Sequence, residues 1–435
     1  MSSEWAVMQI SDLIEFNPKR VISRGSVAPF VDMASVPELS RDIAQIQERE
    51  FKGSGSRFQN GDTIFARITP CLENGKTSLV SGLPHNTSGH GSTEFIVMAA
   101  KDPDNDMQFV YYLARSPEFR SYAIQKMEGT SGRQRVSWQS LSEYQTHLPP
   151  KNERKAIGKF LSSLDDRIAL LRETNATLEA IAQAIFKSWF VDFDPVHAKA
   201  EGRLPEGMDE ATAALFPDGF EESELGLIPR GWRATTLAES SSYLKRGLSP
   251  KYIDEGGVLV LNQKCIRDFS VDTSKARRHD STHRKTGDRE LLVGDVLVNS
   301  TGVGTLGRVA QMLRLTEPTV VDSHVTVVRA GDNLSWPYLG QLMMHKQPEI
   351  EAMGEGSTGQ TELSRSKLGE VPLVTPTPVI LSAFDSLVTP LKHRIAINDE
   401  KFKTLADLRD TLLPRLISGK LRLPECQNGT EEITA

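Results

Sequence analysis

Two stretches of the chain carry a long apolar periodicity. In the first, Ile157, Leu164, Leu171, Leu178 and Ile185 recur every seven residues, and Leu161, Ile168, Asn175, Ala182 and Trp189 form a second row between them. In the second, Phe384, Leu391, Asn398, Leu405 and Leu412 interleave with Val388, Ile395, Phe402, Arg409 and Leu416. Alternating four- and three-residue steps make the seam of a coiled coil. They predict two helices of about 35–40 residues, on the order of 50–60 Å long at about 1.5 Å per residue. An antiparallel pair within the chain is the simplest arrangement, although the same stripe also suits self-association. Each seam holds one asparagine, Asn175 and Asn398. Such a residue either fixes register at some cost in stability or sits on a loosely packed flank. Pro390 and Pro414 are expected to bend or fray the second helix, because proline lacks the backbone donor and crowds the preceding turn.

Outside the seams the pattern shortens to β-prone runs bounded by turn residues, at 63–68, 95–98, 296–298 and 325–328. This predicts mixed α/β domains around a twisted sheet. The chain also repeats. A shift of 227 residues brings Glu128, Gly129, Gly132, Ser137, Leu141 and Glu143 onto identical residues, and pairs Trp5 with Trp232 and Pro149 with Pro376. It also pairs the run Arg167, Ile168, Ala169 with Arg394, Ile395, Ala396. The register slips by about six residues where "GDTIFARI" (61–68) meets "GDVLVNST" (294–301), as expected of a surface-loop insertion. Each copy is therefore a β-rich domain of about 150 residues followed by a long helix. The boundaries fall at 1–150, 151–193, 230–376 and 377–420, with an acidic surface linker at 194–229 and a tail at 421–435.

Length and charge refine this picture. A chain of 435 residues exceeds one ordinary domain. It has no apolar run long enough to span a membrane and no secretory leader pattern at its start, so a cytoplasmic protein without membrane attachment is expected. Cys71, Cys265 and Cys426 are widely spaced and suggest neither disulfide nor zinc site. The net charge of −6 argues superficially against a polyanion partner. Its source is local, however: residues 201–224 hold eight carboxylates against Arg203, whereas 275–289 hold six Lys/Arg. Patches, not the total, govern association.

The segment "NSTGVGTLGRV" (299–309) satisfies G-x-G-x-x-G through Gly302, Gly304 and Gly307, with Asp322 near the distance of a ribose-binding acid. A dinucleotide turn also needs a helix after the glycines. Residues 308–318 instead suit a returning strand, and the repeat partner "ITPCLENGKTSLV" (68–80) lacks the glycines and keeps only Lys76 opposite Arg308. A strand–turn–strand tip bearing a basic residue is expected. Phosphate-loop, zinc-protease, nucleophile-elbow and amino-methyltransferase motifs are all missing from the sequence, and no catalytic or metal site can be assigned. His279 and His283 read as solvated or phosphate-facing.

What remains suits nucleic acid, since Lys and Arg neutralise phosphates and Arg and Gln read base edges. The candidates are Arg57, Arg67, Lys76, Arg133, Gln134 and Arg135 in the first copy. In the second they are Lys245, Arg246, Lys251, Lys264, Arg277, Arg278, Arg284, Lys285, Arg308 and Gln360.

The stretches "LDDRIALLRETNATLEAIAQAIFKSWFVDFDPVHAKAEG", "ALFPDGFEESELGLIPRGW" and "DEKFKTLADLRDTLLPRLISGKL" resemble the specificity subunit of type I restriction-modification enzymes. The resemblance covers almost the whole chain. It implies an α+β fold in which two mixed α/β target-recognition domains form a pseudo-symmetric tandem repeat, joined by two long antiparallel coiled-coil helices. These would be the family's central and C-terminal conserved spacer helices. It further implies that each domain reads one half of a bipartite, asymmetric site in double-stranded DNA, and that the helices set the gap and dock two methyltransferase subunits. Those partners would use S-adenosylmethionine to methylate adenine, and restriction subunits would add ATP- and Mg-dependent translocation and cleavage. No cofactor would belong to this chain. The alternatives are a nucleotide-binding enzyme built on Gly302–Gly307 and a purely structural coiled-coil scaffold.

Overall fold

The structure, a computed structural model, describes residues 5–130, 132–283, 285–355 and 362–424. Its contacts divide the chain into two units, Met1–Leu171 with Lys401–Ala435, and Arg172–Glu400. The sequence repeat pairs each domain with the whole helix that follows it. The spatial units instead take half of each long helix, because antiparallel pairing sets the start of one helix beside the end of the other.

The first unit opens with β1 (Ala6–Gln9), β2 (Ile14–Phe16), β3 (Val27–Val31), β4 (Gln47–Glu50) and β5 (Ser56–Phe58). There follow β6 (Thr63–Ala66), β7 (Thr77–Leu79), β8 (Gly89–Gly91), β9 (Phe95–Ala100), α1 (Pro103–Arg115), α2 (Pro117–Gln125), α3 (Trp138–Ser142) and β10 (Gln145–Leu148). One sheet has the order β2-β9-β6-β7 and is antiparallel throughout. A second has the order β4-β3-β8-β5, with β3 and β8 parallel. Side chains alternate across a strand, and both faces of the central strands are covered. Phe65, Ile96 and Met98 pack with Phe109, Val110 and Tyr112 of α1, while Ile64, Phe95 and Val97 pack with Val31 and Phe58 of the other sheet. Burial on two sides explains why these runs are apolar without interruption.

The chain then enters α4 (Lys151–Phe190) and a connector holding α5 (Asp194–Ala200), α6 (Glu210–Ala214) and the hairpin β11 (Phe220–Ser223) with β12 (Gly226–Pro229). The segment read as a surface linker is thus folded and anchored. Val196, Phe216 and Ile228 lie in the core of the second unit beside Trp189 and Trp232, while its carboxylates stay outside.

The second unit continues with β13 (Arg233–Thr236), β14 (Ser241–Arg246), β15 (Tyr252–Ile253), β16 (Val258–Leu261), β17 (Ile266–Arg267), β18 (Ser270–Val271) and β19 (Arg277–His279). After these come β20 (Val296–Asn299), β21 (Val309–Gln311), β22 (Thr319–Val321), β23 (Val325–Ala330), α7 (Trp336–Ala352), α8 (Arg365–Gly369) and β24 (Pro372–Thr375). The topology of the first unit returns. The order β14-β23-β20-β21 matches β2-β9-β6-β7, the pair β13-β24 matches β1-β10, and the parallel β16-β22 pair matches β3-β8. The two-core alternation returns as well: Val296, Val298 and Val328 face Tyr338 and Leu342, whereas Leu297, Val325 and Val327 face the other way.

The last helix, α9 (Pro378–Ile417), runs through Pro390 and Pro414 without a break. Neither proline interrupts the helix, and its last turn stays helical through Ile417. Packing along α4 outweighs the loss of about 3 kcal/mol for an interior proline, since Phe384, Val388, Ile395, Leu413, Leu416 and Ile417 are all buried. Of the expected seam, Ile157, Ile168, Leu171, Ile395 and Asn398 are buried, while Leu164, Asn175, Leu178, Ile185, Leu391, Leu405 and Leu412 are half-buried. The seam is more polar than its hydrophobic rows suggest. In the second unit Asn398 Nδ2 donates to Asn175 Oδ1 (2.9 Å), and Lys392, 1% exposed, pairs with Glu179 (2.6 Å). In the first, Arg409 meets Asp165 (2.5 Å), both buried, and Tyr112 donates to the same carboxylate (2.6 Å). Burial, reinforced by that carboxylate, raises the Tyr112 hydroxyl far above its ordinary range and keeps it a donor.

Candidate nucleic-acid interface

The glycines of "NSTGVGTLGRV" form the turn between antiparallel β20 and β21, and no helix follows them. Gly307 has φ +79°, and a Cβ there would stand 2.6 Å from the Glu351 Cα of α7. Its role is close backbone packing in the left-handed region. Arg308 immediately precedes β21 just as Lys76 precedes β7. Arg308 is half-buried, whereas the Lys76 ammonium is tied to the Met33 carbonyl (2.8 Å).

The two loops singled out by the repeat occupy matching places. Glu128 and Arg135 exchange backbone N–H···O bonds of 2.9 Å, and Ile68, just beyond β6, bridges to Arg135. Glu355 and Glu362 do the same (3.1 and 2.9 Å), and Thr301, just beyond β20, bridges to Glu362. In both units the residues flanking a Gly-rich stretch of sequence therefore pair beside the C-terminal end of the central strand. Arg133 is exposed on the first loop, and Gln134 is held by a two-way bond with Thr69 (3.1 Å each way). Gln360 and Arg284 lie outside the described residues.

Side chains at these equivalent positions differ. In the first unit Arg135 is forked onto Glu94 (2.7–3.0 Å), which raises the guanidinium's already high proton affinity. Arg57 and Arg67 line a cleft of about 410 Å³ together with Lys19, Arg20 and Asn17. Arg57 donates to the Arg20 carbonyl (3.1 Å) and lies 5.0 Å from the Phe51 ring centre. In the second unit the residue aligned with Arg67 is Ser300, whose buried hydroxyl is 2.5 Å from Thr326 Oγ1. Beside it Thr301 Oγ1 contacts His324 Nδ1 (2.9 Å) and Gln263 Oε1 (3.3 Å), and Arg246 pairs with Glu362. Apart from the Arg246–Glu362 ion pair, this second set is built of hydroxyl, amide and imidazole groups, which can both donate and accept, the chemistry of base-edge reading. Lys19, Gln263, Thr301 and His324 were not singled out from sequence. Each residue type is ordinary alone, and only the sheet ends bring them together.

Other candidates are committed within their own domain. Arg278 forks onto Glu317 (2.8 and 3.0 Å), and that carboxylate raises the guanidinium further. Lys245 pairs with Asp288 (2.7 Å), and Arg277 stacks 3.4 Å over Tyr252. Lys251 stands 3.8 Å from Asp280, while Lys264 and Lys285 are exposed. His279 is wholly buried with Nδ1 3.0 Å from the Lys251 amide. It is a core residue and not solvated, because pairing of β19 with both β15 and β16 encloses it. Among the described residues no group of three or more His, Cys, Asp or Glu could hold a metal ion, and no helix is long and apolar enough to cross a membrane.

The fold and these duplicated sheet ends have counterparts among known proteins. A family model described as the type I restriction modification DNA specificity domain matches residues 2–180. The chain is 26% identical over 409 residues to the specificity subunit of the type I restriction enzyme HindI of Haemophilus influenzae, covering 83% of this chain and 87% of that one. It is 26% identical over 328 residues to the MjaIX specificity subunit of Methanocaldococcus jannaschii, covering 73% and 70%. The crystal structure of a type I restriction-modification S subunit from M. genitalium superposes with a TM-score of 0.55 at 15% identity, over 95% of this chain and 96% of that one, and shares the fold. The chain is thus similar to specificity subunits of type I restriction-modification systems, over residues 2–180 to the family model and over most of its length to these relatives.

Proposed function

We propose that this chain reads a bipartite DNA sequence, one half through each unit, and performs no chemistry itself. The observation that carries the reading is a duplicated scaffold with unlike side chains at the same strand end: Arg67 with Arg135–Glu94 in one copy, Ser300 with Thr301–His324 and Arg246–Glu362 in the other. Repeating the scaffold while changing the reading groups is what an asymmetric two-part site requires. Methyltransferase subunits docked on α4 and α9 supply S-adenosylmethionine chemistry on adenine, and restriction subunits supply ATP- and Mg-dependent translocation and cleavage, all in the cytoplasm. Mapping of methylated adenines in the host tests this. Grafting residues 230–376 from a relative should change one half of the methylated site and leave the other half intact. A site altered in both halves, or unaltered, would reject the division of labour.

A further inference from the structure

The cleft between the end of β2, β5 and the end of β6 is more than a scattering of surface charge. Lys19, Arg57 and Arg67 line it, and among the described residues none of the three meets a carboxylate. The carboxylates nearby are engaged elsewhere: Arg20 takes Asp62 in a two-point contact of 2.8 and 3.1 Å and also feels Glu15, and Arg135 takes Glu94. Arg67 is fixed at its backbone, accepting from Val136 N (2.9 Å) and donating to Glu94 O (3.0 Å). Its Nε is nevertheless buried without a hydrogen-bond partner. A buried donor left unpaired is costly, so the Arg67 side chain is not satisfied within the protein, and three cations gathered without a carboxylate favour an anion between them. Guanidinium and ammonium groups offer donors only. The ligand must therefore bring acceptor oxygens and negative charge, as a phosphodiester does. Ser300 has neither the reach nor the charge for this, so the seat belongs to the first unit.

We propose that the cleft lined by Lys19, Arg57 and Arg67 seats a backbone phosphate of the DNA duplex, anchoring the first unit without reading sequence. The proposal rests on the DNA-reading function above and assigns one contact within it. The test measures binding of the full chain, assembled with its partner subunits, to duplexes carrying its methylation site and single-base variants of that site, between 50 and 200 mM salt. Arg67→Ala should flatten the slope of log affinity against log salt by about 0.9, the value for one phosphate contact. It should also weaken every duplex by a common factor, and Arg67→Lys should retain the slope. Lys19→Ala, at an exposed position that leaves the core untouched, should flatten the slope in the same direction and gives the answer if Arg67→Ala does not fold. Unchanged slopes in folded variants overturn the phosphate seat while the DNA function stands. A changed base preference also overturns it, by making Arg67 a base reader. A wild-type complex with no salt-dependent duplex binding overturns the function itself.

Discussion

The buried Arg409–Asp165 pair offers a quantitative test of how the helices are held in the first unit. The two side chains are 3% and 4% exposed, and Asp165 has Tyr112 as its other partner. Arg409→Met strands the carboxylate with that one hydroxyl. Removing one partner of a buried pair costs about 3–5 kcal/mol, because the remaining charge has lost water and gained nothing. Asp165→Leu should cost less, near the lower end of that range, since Arg409 keeps its 2.8 Å contact with the half-exposed Asp410. The double replacement removes both charges from a site flanked by Leu161, Ile168 and Leu413, all buried. It should recover most of the summed loss, ending within about 1–3 kcal/mol of wild type, because the apolar replacement removes both charges but leaves the buried Tyr112 hydroxyl without its partner. Chemical denaturation of the full chain followed by circular dichroism measures all four proteins. For a unit of this size each kcal/mol shifts the melting midpoint by about 2–4 °C, so Arg409→Met should lower the first unit's transition by roughly 6–20 °C. A single variant within about 1 kcal/mol of wild type, or a double as unstable as the two singles summed, would refute the argument.

Other outcomes follow from the same geometry. Burial depresses the Lys392 ammonium, and Glu179 opposes that shift. Glu179→Ala should destabilise the second unit at neutral pH, with the loss shrinking as pH rises towards the ordinary lysine value, because a lysine depressed in the folded state costs stability while it is protonated and nothing once both states are deprotonated; denaturation curves at neutral and alkaline pH that run parallel to wild type would contradict it. Gly304→Ala faces open space at φ +70° and should cost about 1–2 kcal/mol for its left-handed backbone. Gly307→Ala, which drives a Cβ into α7, should cost more, and equal melting points for the two would count against the packing role of Gly307. Removing one heptad from α4 and one from α9 takes away about 10.5 Å, or roughly three base pairs at 3.4 Å each. Methylation mapping should then show a shorter gap with both half-sites retained.

The helices were readable because their requirement is one-dimensional: a four-three apolar alternation survives in any tertiary setting. The connector at 194–229 misled because charge density and Pro/Gly punctuation describe its surface, whereas Val196, Phe216 and Ile228, far apart in sequence, decide where it packs. Pro390 and Pro414 leave α9 uninterrupted, because packing along the helix outweighs a local rule. Among the basic candidates, Arg135, Arg278 and Lys245 are engaged by Glu94, Glu317 and Asp288, which lie roughly forty residues away in the chain. No local pattern announces such partners.

The sequence by itself determined the duplication, the two helical seams and the failure of the glycine motif as a nucleotide loop, since all three are matters of spacing along the chain. Tertiary structure decided which half of each helix joins which domain, where the polar seam residues pair, and which cations are left without carboxylates. Those outcomes depend on contacts between residues up to two hundred or more positions apart, such as Asn175 with Asn398 and Asp165 with Arg409. Folding in three dimensions, not order along the chain, determines which charges remain without a carboxylate partner.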